Sequence, residues 1–267
     1  MNRTSTKPFA IVTGGSSGIG YELAKQFAQH GYDLLVVAED PGIATAAQKL
    51  AEDGANVESL QADLATYEGV EQLYNKAQSM GRPLDAVAIN AGVGVHGEFA
   101  ESDLNAQLNL INLNVVSPVH LTRRIMGDML ARREGKILFT SSIAATMPGP
   151  FEATYNASKA FLKSFAEAIR EEVKDSGVTV TTLMPGATET NFFRRAGSAD
   201  DTKIGQSEKD DPADVAKDGF EALMDGKDHV VAGSFMNKVQ ATMAHVLPDP
   251  VGAKMHRKQT EPGSADK

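Results

Sequence analysis

A tyrosine and a lysine one helical turn apart could together move a proton. Tyr155 and Lys159 are separated by four positions, so on a helix their side chains share one face. The ordinary pKa of a phenol is about 10, but a neighbouring ammonium favours the phenolate and so lowers that pKa. Such a pair can take a proton from a hydroxyl or return one to a developing alkoxide. Alone, the same spacing is common on helices for structural reasons.

A glycine-rich turn near the N-terminus could hold phosphate groups. The turn follows the apolar run that ends at Thr13 and opens a helical segment; it contains Gly14, Ser16, Ser17, Gly18, Ile19 and Gly20. Glycines allow a tight turn and close approach of a pyrophosphate, and the N–H groups of a helix N-terminus favour an anion. We therefore predict a dinucleotide site here.

The same turn also fits the Gly-x-Ser-x-Gly nucleophile elbow of a serine hydrolase. An elbow is expected after a central strand well into the chain, whereas this turn begins at Gly14. No histidine in a late loop has an obvious acidic partner in the sequence. The dinucleotide interpretation is therefore preferred.

An acidic residue ends the second apolar run. Glu39 could accept hydrogen bonds from the adenosine ribose hydroxyls, and its charge would repel the 2'-phosphate of NADP. We therefore expect NAD, with NADP as the less favoured cofactor. The alternative is that Glu39 and Asp40 only solvate the strand end and cap the helix after Pro41.

Short β-branched runs alternate with segments of helical period. Strands are predicted at 8–13, 33–38, 57–61, 84–90, 135–141, 177–184 and 228–233. Helices are predicted at 18–30, 41–53, 66–79, 102–131, 152–175 and 211–225. This order predicts an α/β fold: a doubly wound (Rossmann) seven-stranded parallel sheet in three α/β/α layers, with ligands at the carboxyl ends of the strands.

Seven motifs, in order along the chain, give a specific resemblance. They are Thr13-Gly14 with Gly18 and Gly20, Asp63, Asn90-Ala91-Gly92, Asn114, Ser142, Tyr155 with Lys159, and Pro185-Gly186 with Thr190. On these residues the chain resembles a compact short-chain dehydrogenase/reductase over residues 8 to about 233.

The resemblance implies a catalytic group of Asn114, Ser142, Tyr155 and Lys159. Tyr155 would be the general acid/base, and Ser142 would hydrogen-bond the substrate oxygen as charge develops on it. Lys159 would also hydrogen-bond the nicotinamide ribose, and Asn114 would kink its helix and hold a water. Ser141 and Asn112 are the neighbouring alternatives.

The resemblance also implies the remaining cofactor contacts. Asp63, with Leu64 beside it, would lie at the adenine, although Asp63 could also be a helix N-cap. Asn90, Ala91 and Gly92 would lie against the adenosine ribose. The carboxamide would meet Pro185, Gly186, Thr188 and Thr190.

Composition excludes several other classes. The 267 residues include no cysteine, and the formal net charge of −9 argues against a nucleic-acid partner. None of the six histidines has a partner at metal-ligand spacing, so no metal is expected. No apolar run is long enough for a membrane span, and the N-terminal residues lack the apolar core of a signal peptide, so a cytoplasmic protein is expected.

The chain is interpreted as one oxidoreductase domain at 1–233, extended at 234–267 by a helix up to Leu247 and then a polar arm or frayed tail from Lys254. Residues 188–211 are expected to form a mobile substrate lid. His96 is interpreted as a surface-loop histidine. Met147, Pro148, Phe151 and Met184 could wall an apolar substrate pocket or simply pack the lid.

The sequence thus predicts an NAD(H)-dependent oxidoreductase acting on a secondary alcohol or carbonyl compound. Three alternatives remain. An NADP(H)-dependent carbonyl reductase would need Glu39 turned away, and a nucleotide-sugar epimerase or dehydratase would normally carry a different glycine turn and a larger C-terminal domain. A dinucleotide-binding scaffold or redox sensor would bind without turnover. A homodimer or homotetramer is expected, through the helices that hold Asn114 and Tyr155.

Overall fold

A computed structural model describes residues 7–52, 54–244 and 248–266. Its sheet has seven parallel strands in the order β3-β2-β1-β4-β5-β6-β7. The strands are β1 Phe9–Thr13, β2 Asp33–Ala38, β3 Val57–Gln61, β4 Ala86–Ile89, β5 Gly135–Thr140, β6 Val178–Met184 and β7 His229–Val231. The predicted doubly wound parallel sheet is confirmed, with each strand end within two residues of its predicted position.

The helices lie between the strands and beyond the last one. They are α1 Gly18–Gln29, α2 Gly42–Ala51, α3 Tyr67–Ser79, α4 Leu104–Ile111, α5 Ser117–Arg132, α6 Ala153–Val173, α7 Phe192–Ala196, α8 Lys203–Gln206, α9 Pro212–Met224, α10 Phe235–Ala244 and α11 Asp249–Thr260. One predicted helix, 102–131, is instead two helices joined by a π-helical turn, Asn112–Val116. Such turns interrupt α-helices at functional positions more often than elsewhere.

Alternate side chains of the strands face two apolar layers. Phe9 and Ile11 pack in one core with buried residues of α3, α5 and α6. Ala10 and Val12 pack in the other core with α1, α2 and α9. Because both faces of β1 are fully buried, its sequence is a continuous apolar run without alternation.

From β1 the sheet extends one way through β2 to β3, and from β4 it extends the other way through β5 and β6 to β7, so the strand order reverses between β1 and β4. Thr13 ties the two strand ends together, since its Oγ1 accepts hydrogen bonds from the N–H groups of Asn90 and Ala91, each at 2.9 Å. The crevice outside such a reversal is where doubly wound sheets bind ligands.

The C-terminal segment differs from the predicted polar arm. Residues 249–260 form α11, in which His256 and Thr260 are buried. Pro248 precedes α11 and is its N-cap, whereas Pro250 lies in the first turn of α11 and does not break it. Residues 245–247 lie outside the described part. The prediction of a polar arm or frayed tail was wrong because most residues of this segment are polar, and its few buried positions form no apolar pattern in the sequence.

The segment predicted as a lid, 188–211, contains the short helices α7 and α8. The C-terminal residues bond to it: Gly263 donates its N–H to Asp201 Oδ1 at 2.7 Å, and the Lys203 N–H donates to Ser264 Oγ at 3.1 Å. The lid therefore has local structure and fixed partners that its irregular sequence did not predict.

Candidate active site

A cavity of about 540 Å³ opens at the carboxyl ends of the central strands. Its wall includes all the predicted site residues except Asn114: Gly14, Ser16, Ser17, Gly18, Ile19, Gly20, Glu39, Asp63, Leu64, Asn90, Ala91, Gly92, Ser142, Tyr155, Lys159, Pro185, Gly186, Thr188 and Thr190. Residues from six separate loops thus meet at one edge of the sheet, which is what a parallel topology requires of them.

The glycine-rich turn is shaped for an anion. Gly14 and Gly18 have φ of +69° and +57°, which a side chain would strain. A Cβ at Gly18 would lie 2.9 Å from Thr190 Cγ2, so a larger residue would also close the gap between the turn and the lid. Ser17 is the N-cap of α1 and makes no side-chain capping bond there. The first N–H groups of α1 therefore suit the phosphate oxygens of a dinucleotide.

Two carboxylates lie at the end of β2. Glu39 is exposed on the cavity wall. Asp40 turns back to the glycine-rich turn, where its Oδ2 accepts from Ser16 Oγ at 2.6 Å and its Oδ1 accepts from the Gly42 N–H at 3.0 Å. Asp40 therefore bonds the first N–H of α2, as the capping alternative expected, but Pro41 is the N-cap and Asp40 also lines the cavity. Together the two acids make this end of the cavity negative.

Asp63 lines the cavity after β3 but does not cap α3. Its Oδ1 accepts from the Ala65 N–H at 2.9 Å, while Thr66 is the N-cap and accepts from the Gly69 N–H at 3.0 Å. The N-cap alternative for Asp63 is therefore wrong. Its carboxylate remains beside Leu64 in the wall, consistent with a role toward the cofactor.

The predicted tyrosine and lysine share the inner end of the cavity. Lys159 Nζ lies 5.7 Å from the centre of the Tyr155 ring and donates to the Thr140 carbonyl at 2.9 Å. Burial lowers the pKa of Lys159 to about 8. The ammonium is therefore held by a strand-end carbonyl and sits where it loses its proton more easily than in water.

The phenol of Tyr155 is held in its protonated form. Burial raises its pKa, the nearby carboxylate of Glu152 raises it further, and a hydrogen bond with Ser142 lowers it. The sequence argument expected the net shift to favour phenolate, and in the protein chain alone that direction was wrong. Removal from water outweighs the hydrogen bond.

The choice between the two serines is explained by their hydrogen bonds. Ser141 is buried and donates to the main-chain carbonyl of Lys159 at 2.8 Å, so it ties β5 to α6. Ser142 Oγ donates to the Pro185 carbonyl at 3.4 Å and accepts from the Ala144 N–H at 3.1 Å, and its hydroxyl lies close enough to Tyr155 to lower the pKa of the phenol. Ser142 is the one beside the phenol, as its spacing from Tyr155 predicted.

Asn114 lies fully buried in the π-helical turn, behind the cavity wall. Its side chain spans the main chain of Val93, donating to the carbonyl at 2.9 Å and accepting from the N–H at 3.0 Å, and it also donates to Ser158 Oγ at 3.1 Å. The alternative, Asn112, is exposed. Asn114 thus positions the loop after β4 against α6.

The loop after β6 closes the cavity opposite this group. Pro185 accepts from the Ile143 N–H at 3.0 Å, and Thr190 Oγ1 accepts from the Phe192 N–H at 3.2 Å, which starts α7. Phe192 then packs its ring 5.1 Å from that of Tyr155. The segment 188–211 therefore reaches Tyr155 directly.

Sequence reasoning missed several wall residues, among them a mostly polar group near Tyr155. This group includes Glu152, which precedes α6, and Met255, His256 and Gln259 of α11. His256 Nε2 donates to Glu152 Oε2 at 3.2 Å, so a histidine of α11, not of a late loop, has an acidic partner that the sequence did not make obvious. The partners are 104 residues apart, and no local pattern signals such a pairing. Ser16 bonds Asp40 rather than an imidazole, which still argues against a hydrolase elbow.

Two other expectations also need correction. His96 is half-buried, and its Nε2 bonds the Thr260 carbonyl at 2.6 Å, so it is not a free surface histidine. Of the four residues proposed as an apolar wall, Met147 alone lines the cavity. Met184 is in the core, and Phe151 lies under Arg257 of α11, 5.3 Å from its guanidinium.

The described residues contain neither a metal-binding cluster nor a membrane-spanning helix. Residues 7–52, 54–244 and 248–266 contain no group of three or more His, Asp or Glu that could hold a metal. No helix in that part of the chain is long and apolar enough to cross a membrane.

Comparisons with known proteins agree with this geometry. Residues 8–201 match the short chain dehydrogenase family. The oxidoreductase YmfI of Bacillus subtilis (strain 168) is 32% identical over 207 residues, which are 76% of this chain and 82% of that protein.

Solved structures agree as well. A short-chain dehydrogenase from Sphingobium yanoikuyae in complex with NADPH is 26% identical, with a TM-score of 0.78 over 84% of this chain and 87% of that one. A short chain dehydrogenase/reductase from Burkholderia phymatum in complex with NAD is 23% identical, with a TM-score of 0.82 over 96% and 97% of the two chains, a likeness of fold alone. The chain belongs to the short-chain dehydrogenase family and is an NAD(P)-dependent oxidoreductase.

Proposed function

We propose that the protein transfers a hydride between NAD(H) and a secondary alcohol or carbonyl compound, with Tyr155 as general acid/base. The observation that carries this proposal is the shared cavity. One end has the glycine-rich turn and the β2 carboxylates, and the other has Tyr155, Ser142 and Lys159. A nicotinamide cofactor, when bound, supplies or accepts the hydride.

The state of Tyr155 favours reduction as the easier direction. A phenol with a raised pKa is protonated at neutral pH, and it can give that proton to a carbonyl oxygen as negative charge develops there. Ser142, which hydrogen-bonds Tyr155, can donate to the same oxygen. Lys159 holds a positive charge near the phenol below a pH of about 8, which stabilises the phenolate left by proton delivery.

Cofactor choice is proposed from the charge at the adenosine end. Glu39 and Asp40 both line that part of the cavity, where a 2'-phosphate would add like charge. Among the described lining residues, the lysine and arginine side chains are those of Lys159 and Arg195. Lys159 lies beside Tyr155 and Arg195 lies on α7, so neither follows β2 next to Glu39 and Asp40. NADP remains the alternative, since the relative from Sphingobium yanoikuyae was solved with NADPH.

The C-terminal elements are proposed to belong to the same domain as residues 1–233. Thr260 of α11 bonds the Pro150 carbonyl just before the catalytic helix, and α11 adds three residues to the cavity wall. In a C-terminal tail that did not pack on the domain, these positions would be exposed to solvent.

A homo-oligomer is proposed to form through the helices that hold Asn114 and Tyr155. Leu104, Leu108 and Ile111 form an exposed apolar stripe on α4 at positions i, i+4 and i+7, and Phe161 of α6 is also exposed. An apolar row of this kind is typical of a covered surface. Leu108→Glu should halve the mass measured by light scattering, and an unchanged mass would refute this interface.

The function is tested by turnover with purified protein. NADH consumption is followed with a panel of ketones and aldehydes, and NAD reduction with the matching alcohols. We expect hydride transfer that Lys159→Met strongly weakens. Tight NADH binding without transfer to any compound would favour the scaffold alternative instead.

A further inference from the structure

A buried histidine–carboxylate pair lies in the cavity wall and has no part in the proton transfer described above. The side chains of His256 and Glu152 are 8% and 7% exposed, and His256 Nε2 lies 3.2 Å from Glu152 Oε2. Removing an imidazole and a carboxylate from water is costly, and two apolar side chains would pack α11 on the protein without that cost. Polar pairs kept in a cleft at such a cost are candidates for a functional role.

The pair faces the reacting end of the cavity. Glu152 precedes Tyr155 by three positions, and its carboxylate is close enough to raise the pKa of the phenol. His256 is bonded to that carboxylate and lines the same cavity as Tyr155 and Ser142. The imidazole is therefore separated from the acid/base residue by a single side chain.

The helix that carries His256 is held firmly in place. Thr260 Oγ1 donates to the Pro150 carbonyl at 2.9 Å, and the Thr260 carbonyl accepts from His96 at 2.6 Å. Arg257 packs on the Phe151 ring. A hydrogen-bonding group fixed before the ligand arrives loses little entropy on binding.

We propose that His256, oriented by Glu152, hydrogen-bonds a second oxygen of the substrate. The substrates would then be carbonyl compounds or alcohols that carry a further hydroxyl group near the reacting carbon. With its Nε2–H donated to Glu152, the neutral imidazole has Nδ1 left as an acceptor, which fits a hydroxyl donor. This inference rests on the proposed function, because it assigns a substrate class to the same cavity.

Binding of matched ligands to the NADH complex tests the proposal without requiring turnover. Quenching or enhancement of bound-NADH fluorescence gives Kd for 2-pentanol, 2,3-pentanediol and 2,4-pentanediol. We expect the wild type to bind at least one diol about tenfold or more tightly than the mono-alcohol, which corresponds to a hydrogen bond worth about 1.4 kcal/mol. His256→Leu should bind all three with similar Kd values, and its Kd for 2-pentanol should stay near that of the wild type.

The control is a second histidine–carboxylate pair away from the cavity. His229 Nδ1 lies 3.0 Å from Asp228 Oδ2 on the exposed edge strand β7, so His229→Leu makes the same chemical change without touching the site. This variant should keep the wild-type preference for the diol. His256→Gln keeps an N–H donor for Glu152 and therefore the docking of α11, but it should lose most of the preference for the diol over 2-pentanol. This variant replaces His256→Leu in the test if His256→Leu does not fold.

Two results would overturn the proposal. One is a wild type that binds diols and mono-alcohol alike or binds none of them. The other is a His256→Leu variant that weakens all ligands equally, which would mean that the pair only docks α11. Tyr155→Phe should retain the diol preference and lose turnover. Undiminished turnover in Tyr155→Phe, with the diol preference retained, would count against the proposed function alone.

Discussion

Replacing the acidic residues after β2 should change the cofactor preference in a calculable direction. Glu39 is exposed, so its charge acts through a nearly aqueous medium, in which two unit charges about 4 Å apart interact by roughly 1 kcal/mol. A phosphate with a charge of about −2 doubles this to roughly 2 kcal/mol. The Glu39→Ala variant should therefore raise the ratio of kcat/KM for NADP to that for NAD by roughly 5-fold to 30-fold.

Asp40 should contribute in the same direction. Asp40→Asn removes the charge and keeps an oxygen that can accept from Ser16 Oγ or the Gly42 N–H, as the carboxylate does in the structure. The double variant should shift the ratio further than Glu39→Ala alone. Because Glu39 is exposed, the shift should shrink as salt is added.

The assay compares initial rates with the two cofactors at low and high salt. Glu52→Ala is the matched control, since Glu52 is an exposed acid outside the cavity wall and its loss changes the net charge equally. An unchanged ratio in the double variant, or an equal shift in Glu52→Ala, would refute the electrostatic argument for NAD.

Three further predictions concern the catalytic group. Ser142→Ala should lower kcat roughly a hundredfold or more, because it removes a donor to the developing charge. Ser141→Ala should keep kcat near the wild-type value, and equal losses in the two variants would contradict the assignment of Ser142. Asn114→Ala should lower the free energy of unfolding in urea by about 1–3 kcal/mol, since it leaves buried main-chain groups unpaired, and the exposed Asn112→Ala should change it by less than about 0.5 kcal/mol. The cofactor-free wild type should gain stability relative to Lys159→Met as the pH rises from about 8 towards 10, because folded Lys159 is then neutral while the unfolded chain still binds that proton. If the difference in free energy of unfolding between the two proteins, measured in urea, does not change over this pH range, the pKa of Lys159 is not lowered.

The sheet and the cofactor end could be predicted because their signals are local. A strand such as β1 buried on both faces has a continuous apolar run, and the turn from Gly14 to Gly20 contains its own backbone requirements. Parallel topology then brings the loop residues to one edge without further information. Ser142 is preferred to Ser141 through the family resemblance, and the structure agrees with that preference, since the Ser141 hydroxyl bonds the main chain of α6.

The substrate end could not be predicted because it depends on long-range packing. Helix α11 is mostly polar, and only the fold reveals that His256 and Thr260 face inward. Likewise, the pKa of Tyr155 depends on burial and on Glu152, which no spacing rule reports. Segment 188–211 lacked periodicity because its helices are short and its partners lie in the C-terminal residues.

In the proposed reaction, a hydride passes between NADH and a carbonyl carbon while Tyr155 delivers the proton. The most direct test uses NADH carrying deuterium at the transferring position and measures deuterium in the alcohol product by mass spectrometry, for the wild type and for Tyr155→Phe. We predict one deuterium per product molecule on the carbinol carbon with the wild type, and almost no product with Tyr155→Phe although NADH still binds. Product without deuterium on that carbon, or undiminished product from Tyr155→Phe, would contradict the account.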